Sequence, residues 1–486
     1  MTSAPARAES VRAQVRQAVI WRSGTQIVSQ LVAWASTFLV IRILSPSDYG
    51  LYAMTSVVLV LLGLLNGYSF ANAVIQDRTA GRHQLRQLFG LLIAVNTALA
   101  LVQVIAAPLA AAYFGQPQVA ELLRVQALIY LTNPFLALGY TVLSREMDFR
   151  KQAQVNMVSA LVGAGAALAG ALAGLGVWTL VLAPLATFTS RALGMVTVAR
   201  AWMWPSFDWR GARAMARYGS LVMAGQVFWF IQAQADIIIA GRTLHPAELG
   251  FYTTALFLAQ LFVNKVVPPL NEVAFSAYAR IQQDPLAVAQ GFLKSVRVMM
   301  LLAMPFCIGL AAVSTPAVGL LLGPKWLPAG PLVALLALAM PFMTLHVMFA
   351  PATNAMGAPQ LSTRTAMLGA IIMPAVFLIG VTLDGARGIA AAWLVAYPLL
   401  TALAAHWSLP VIGLTKRDLA GAILPPLLAG TGMGLALVSL DRLIGQHELW
   451  LRLALLVGTG AAIYGLWLAC FARERLGEVL DLLRRA

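Results

Sequence analysis

Arg42-Ile43-Leu44-Ser45-Pro46-Ser47-Asp48-Tyr49-Gly50-Leu51-Tyr52 returns two hundred positions later as Arg242-Thr243-Leu244-His245-Pro246-Ala247-Glu248-Leu249-Gly250-Phe251-Tyr252. Arg, Leu, Pro, Gly and Tyr are identical at matching places, and Asp48 faces the acidic Glu248. The match extends upstream without a gap, Gln26-Ile27 against Gln226-Val227. Each copy follows a long apolar segment and precedes another. A polar hairpin tip that recurs between apolar helices at one fixed offset is an internal repeat. In a membrane protein such a repeat points to two similar halves with a site where they meet.

Composition sets the class. The 486 residues are 60% hydrophobic and 10% charged, with a mean hydropathy of +0.80. A soluble fold has too little interior to hide that much apolar surface, so an all-α, polytopic membrane protein is predicted. Strands of a barrel alternate and are about half as long as the apolar runs here, which favours helices. The formal charge of +15 sits in short clusters between apolar runs. That is the positive-inside pattern, and it argues against a nucleic-acid partner. Cys307 and Cys470 each lie in an apolar stretch and read as small membrane-buried residues, without a disulfide or a metal site.

Fourteen transmembrane helices are expected, near 17–43, 48–76, 86–113, 119–144, 152–174, 177–199, 213–241, 247–278, 289–322, 328–356, 360–382, 387–409, 419–440 and 449–471. The basic start of the chain is not read as a cleaved signal, because the apolar segment behind it is long and carries Arg22, Gln26 and Gln30. Loops holding Arg78, Arg82 and Arg86, then Arg145, Arg150 and Lys151, then Arg200, Arg210, Arg213 and Arg217, then Lys416 and Arg417, fall on one side, predicted cytoplasmic with both termini. The organisation expected is an N-terminal lobe over 1–200 and a cytoplasmic linker over 201–212. A second lobe of six helices follows over 213–412, then two further helices within 413–471 and an amphipathic tail over 472–486. Six helices per lobe is an even number, so the lobes share one orientation, a parallel repeat about an axis along the membrane normal.

Polar side chains inside a membrane are costly and face a cavity or another helix. Arg22, Gln26 and Gln30 are spaced to share one face of the first helix. Asn66 and Asn72 lie on one side of the second, and Gln232 and Asp236 are one turn apart in the seventh. The eighth is the most polar, with Gln260, Asn264, Lys265, Asn271 and Glu272, and is expected to break at Pro268-Pro269. Helices one, two, seven and eight would line a central polar space. Arg22, Gln26, Gln30, Asn66, Asn72, Gln232, Asp236, Asn264, Lys265 and Glu272 are therefore the candidate substrate-binding residues. Amides of this kind also hold helices together, and Lys265 and Glu272, two turns apart, suit an ion pair as well as ligand contact. His346 and His406 read as packing or hydrogen-bonding residues. The catalytic motifs of hydrolases, metalloproteases and phosphate-binding loops are missing from the sequence, so an enzyme is not expected.

Leu44 to Leu51, Ala73-Val74-Ile75-Gln76, Leu143-Ser144-Arg145-Glu146-Met147-Asp148-Phe149-Arg150, Pro269 to Ser276 and Leu321 to Ala329 together resemble the polysaccharide transporter family. That family includes the Wzx-type oligosaccharide flippases, with a colanic acid exporter-like branch, within the multidrug/oligosaccharidyl-lipid/polysaccharide exporter superfamily. The resemblance implies two six-helix lobes in a V around a central cavity. It implies translocation of an undecaprenyl-pyrophosphate-linked oligosaccharide across the bacterial inner membrane by alternating access, for exopolysaccharide, capsule or lipopolysaccharide synthesis. Arg22 and Lys265 are the cations it would give to the pyrophosphate. No cofactor is implied; a proton or sodium gradient is the expected driver. Membrane lipids, a polymerase and a chain-length regulator are the expected partners of a monomer. Two other readings stand beside this one: a cation-coupled multidrug exporter of the same fold, and a membrane-embedded polysaccharide polymerase.

Overall fold

The computed structural model describes Gln30, residues 32–66, Val74, 81–208, 212–444 and 448–471, with backbone alone for 212–225 and 471. All regular elements among them are helices. In chain order they are α1 Val32–Ile43, α2 Pro46–Gly63, α3 Arg82–Phe114, α4 Gln118–Gln126, α5 Leu128–Arg145, α6 Phe149–Leu172 and α7 Val177–Val198. Then come α8 Ala212–Thr243, α9 Pro246–Ala259, α10 Leu261–Ile281, α11 Pro285–Ala312 and α12 Ser314–Leu321. After a short 3-10 turn, Pro324–Trp326, the chain ends in α13 Ala329–Ala355, α14 Gln360–Ile412, α15 Lys416–Ile444 and α16 Leu449–Phe471. Among the described residues, nine spans are long and apolar enough to cross a membrane, and ten if the bent pair α9–α10 is one span. The protein is a multi-pass membrane protein.

Local chemistry explains several boundaries. Pro46 and Pro246 each open a helix, where the missing N–H is no loss. At α2 a capping box closes the turn: the Asp48 N–H donates to Ser45 Oγ at 3.3 Å, and Asp48 Oδ2 accepts from the Ser45 N–H at 2.9 Å. His245, in the same place before α9, makes no side-chain cap. Asp48→Ala should lower stability by about 1 kcal/mol while transport per molecule persists. Membrane abundance, together with export normalised to it, checks this; a collapse of export at normal abundance would give Asp48 a direct role in transport.

Some expected segments are cut differently. The span expected over 289–322 is two helices, α11 and α12, and that over 119–144 is α4 followed by α5. The break expected at Pro268-Pro269 falls at Gln260, between α9 and α10, which meet at 40°. α10 runs through both prolines, and a proline disturbs the turns N-terminal to it, where it meets the carbonyl four residues back. α14 leaves helical geometry at Asp384 (φ −152°, ψ 40°) and Gly385 (φ 49°, ψ −129°). Its two arms, 360–383 and 386–412, double back on each other, with Gly380 set against the Gly388 backbone. Cys307 is buried, but Cys470 is exposed on α16.

The chain forms two compact units, Met1–Gln226 and Val227–Ala486. In the first, α5 packs against α3, α4, α6 and α7; in the second, α13 packs against α9, α10, α11, α12 and α14. These two helices lie two hundred residues apart, at the same offset as the hairpins. Each belongs to the span with the largest buried share in its unit, 61% in both cases.

Candidate functional site

Unit 2 holds a cavity of about 420 Å3 between α8, α9–α10, α13 and both arms of α14. Gln232 comes to it from α8, and Gln260 and Asn264 from the bend into α10. The bend puts the two amides on the wall one turn apart, and Asn264 Nδ2 lies 3.5 Å from Gln260 Oε1. His346 is contributed by α13, and Trp393 and Tyr397 by the second arm of α14. The two aromatic rings stack with centroids 5.0 Å apart, and His346 stands edge-on to Tyr397 at 6.1 Å. Gly369 on the first arm gives Gln232 the room it occupies, since a Cβ there would overlap the amide.

Among the described residues, no Asp, Glu, Lys or Arg side chain lines this cavity. Its polar groups are neutral amides, hydroxyls and one imidazole. Two polar atoms of lining residues, Gln234 Oε1 and His346 Nδ1, are buried behind the wall with no hydrogen-bond partner among the described residues. A mostly apolar hollow with a few convergent neutral donors and acceptors, within the usual small-molecule range of about 300–1,000 Å3, suits a neutral polyhydroxylated group.

One turn beyond Gln232, Asp236 is turned away from the cavity into the interior, only 1% exposed. Its Oδ2 accepts from the Tyr252 hydroxyl at 2.6 Å and its Oδ1 from the Ile237 N–H at 2.8 Å. Tyr252 in turn accepts from Trp393 Nε1–H at 2.9 Å. Trp393 thus belongs both to the cavity wall and to the chain of bonds that ends on Asp236. At the two-hundred offset Tyr252 matches Tyr52, but Asp236 matches Ser36 and Trp393 matches Leu193. The acid and its indole are therefore features of unit 2.

Of the other sequence candidates, Lys265 and Glu272 are exposed on α10, stand off the cavity wall, and no ion pair joins them. In unit 1, the Asn66 carbonyl accepts from Asn96 Nδ2 at 3.0 Å, and Asn133 Nδ2 lies 3.3 Å from Asn96 Oδ1. Gln30 is half-buried in the same unit. Arg22, Gln26 and Asn72 lie outside the described residues. Sequence reasoning passed over Trp393 and Tyr397. Their i, i+4 spacing, with alanines at 390–392 and 396, carried the signal of an aromatic face on a small-residue helix.

A family model described as polysaccharide biosynthesis protein matches residues 39–331, more than half of the chain. The succinoglycan biosynthesis transport protein ExoT of Rhizobium meliloti (strain 1021) is 27% identical over 447 residues, covering 91% of this chain and 90% of that protein. The teichuronic acid biosynthesis protein TuaB of Bacillus subtilis (strain 168) is 25% identical over 407 residues, 81% of this chain and 83% of that one. Among solved structures, the lipid II flippase MurJ in an inward closed conformation aligns with a TM-score of 0.75 at 13% identity. That alignment covers 94% of this chain and 100% of that one; the likeness is one of fold.

Proposed function

The chain belongs to the polysaccharide biosynthesis protein family, and from that premise we propose that it moves a lipid-linked oligosaccharide across the bacterial inner membrane by alternating access, without bond chemistry. The observation that carries the proposal is the charge-free cavity of unit 2, where Gln232, Gln260, Asn264, Trp393 and Tyr397 offer amides and aromatic faces to neutral sugar rings. The names of ExoT, a succinoglycan biosynthesis transport protein, and TuaB, a teichuronic acid biosynthesis protein, support the same substrate class. The pyrophosphate of such a substrate is assigned to cations outside that cavity, the exposed Lys265 and, from the sequence, Arg22. Asp236 is the acid assigned to a driving proton or sodium gradient. The basic loops support an orientation with both termini in the cytoplasm. A polymerase and a chain-length regulator are the protein partners that this role entails.

Cells lacking the chain should accumulate lipid-linked repeat units and lose the surface polymer, and the intact chain should restore it. Replacing both Gln232 and Asn264 by leucine removes hydrogen bonds worth about 0.5–1.5 kcal/mol each. Export should then fall roughly tenfold at unchanged abundance and melting temperature. Full export by this variant would take the cavity out of the transport path. A null strain with normal surface polymer and no accumulated lipid-linked sugar would end the proposal itself.

A further inference from the structure

Unit 1 holds a larger and chemically opposite cavity, of about 940 Å3, at the ends of α3, α5, α6 and α7. Its wall carries Arg82 from the start of α3, Lys151 from the first turn of α6, Arg200 just past α7, and the carboxylate Glu146. Lys151 is tied at 2.7 Å to Asp148, whose carboxyl this bond holds below its ordinary value. Arg82 and Arg200 make no ion pair among the described residues. Leu85 and Val142 make the apolar part of the wall.

The linker closes one side and is fixed there. The Ser206 N–H donates to the Arg86 carbonyl at 2.9 Å, and Arg86 Nε–H donates to the Trp204 carbonyl at 2.9 Å. Gly90 lies so close under Ser206 that a Cβ would overlap its backbone. The same linker presents Trp202, Trp204 and Phe207 outward, 59%, 83% and 53% exposed. Trp is the residue of the headgroup level of a bilayer.

Backbone conformation marks the same place. Among the described residues, two that are not glycine adopt the left-handed region, Met147 (φ 56°) and Arg200 (φ 49°). Arg200 lines the cavity, and Met147 lies between its lining residues Glu146 and Lys151. Each sits just past a helix end, where glycine is the usual choice: the Arg200 N–H bonds the Thr197 carbonyl, and the Ala201 N–H the Val196 carbonyl. A strained arginine on the wall of a cavity that also holds Arg82 fits a functional cause better than a structural one.

We propose that this cavity is a binding site for the phosphodiester headgroup of an anionic phospholipid, held between Arg82 and Arg200 with its glycerol at the level of Trp202. Guanidinium groups match phosphate oxygens in a two-pronged geometry. Basic pockets between transmembrane helices, on the side that carries the positive loops, are the usual seats of anionic headgroups. The apolar wall and aromatic rim select a lipid over a free anion. The lipid would act as a resident brace, joining the linker to the ends of α3 and α7.

The test uses the full chain, purified in detergent, with phosphatidylglycerol as the probe and phosphatidylcholine and inorganic phosphate as the comparison arms. Phosphatidylglycerol should raise the melting temperature by several degrees, and neither of the other two should. Arg82→Gln should raise the half-saturating lipid concentration about tenfold. Arg200→Gly is the sharper variant, because glycine adopts the observed φ without strain. It should melt higher than the parent without lipid and respond to phosphatidylglycerol least. The exposed Arg364→Gln, in unit 2, should respond as the parent does. An unchanged response in Arg200→Gly overturns the proposal. So does an equal response to phosphatidylcholine, which would mean general solvation, or to inorganic phosphate, which would mean a free-anion site.

Discussion

Asp236→Ala should lower both the melting temperature and export, more than any other single change in the cavity region. The carboxylate accepts from the Tyr252 hydroxyl at 2.6 Å in a fully packed interior. Without it that hydroxyl proton has no acceptor, and stranding such a group costs about 1–3 kcal/mol, with a further loss from the void left behind. Tyr252→Phe removes the stranded group. Asp236→Ala should therefore cost clearly less in a Tyr252→Phe background than alone. Asp236→Asn keeps an acceptor for the hydroxyl and should recover most of the stability. If Asp236 answers to a driving ion gradient, the Asn variant should still fail to accumulate substrate when a gradient is imposed on proteoliposomes. Additive melting shifts would break the network argument, and gradient-driven export by the Asn variant would free Asp236 from coupling.

Gly388→Ala should reduce the amount of folded protein in the membrane severely. The added methyl would meet the Gly380 carbonyl across the hairpin of α14, and a methyl on Gly380 would come within 2.5 Å of the Gly388 carbonyl oxygen. Backbone meets backbone there, so no side chain can swing aside. Overpacking of this kind costs about 1–3 kcal/mol or more. Parting the arms would also separate Phe377 from Trp393, whose rings lie 5.8 Å apart, and so loosen the cavity wall. Gly421→Ala is the matched control: nothing lies within 4 Å of a Cβ there, and alanine is the better helix former by about 1 kcal/mol. Immunoblots of membranes and melting curves should show the first variant depleted and the second equal to the parent or above it.

Much of the architecture was legible because membrane helices write long local signals. The repeated hairpin announced Pro46 and Pro246 as helix starts, while Gln232 and Asn264 line a cavity inside unit 2. What the sequence hid is decided by residues far apart along the chain. Asp236 shares a helix face with Gln232 by spacing, yet Tyr252 and Trp393, 141 residues apart, draw it into the interior. The spacing of Lys265 and Glu272 allowed an ion pair, but seven residues rise about 10 Å along a helix, and the two stay apart. The bend at Gln260 lies two turns before Pro268-Pro269, and α10 stays helical through both prolines, so the proline pair does not mark the break. The seat of Arg200 was invisible for another reason: an arginine in the left-handed region breaks the local rule that would have predicted a glycine.

The packing of α5 bears on how the chain is made. Among the described residues its main packing partners, α3, α4, α6 and α7, lie before residue 199, and synthesis at about 5–20 residues per second leaves them in the membrane on the order of tens of seconds before Ala486 is added. During that wait the first unit has to shield its own amides from lipid. The Asn66 carbonyl and the Asn96 and Asn133 amides bond one another inside that unit, so this part of its polar interior is satisfied before the second unit is made.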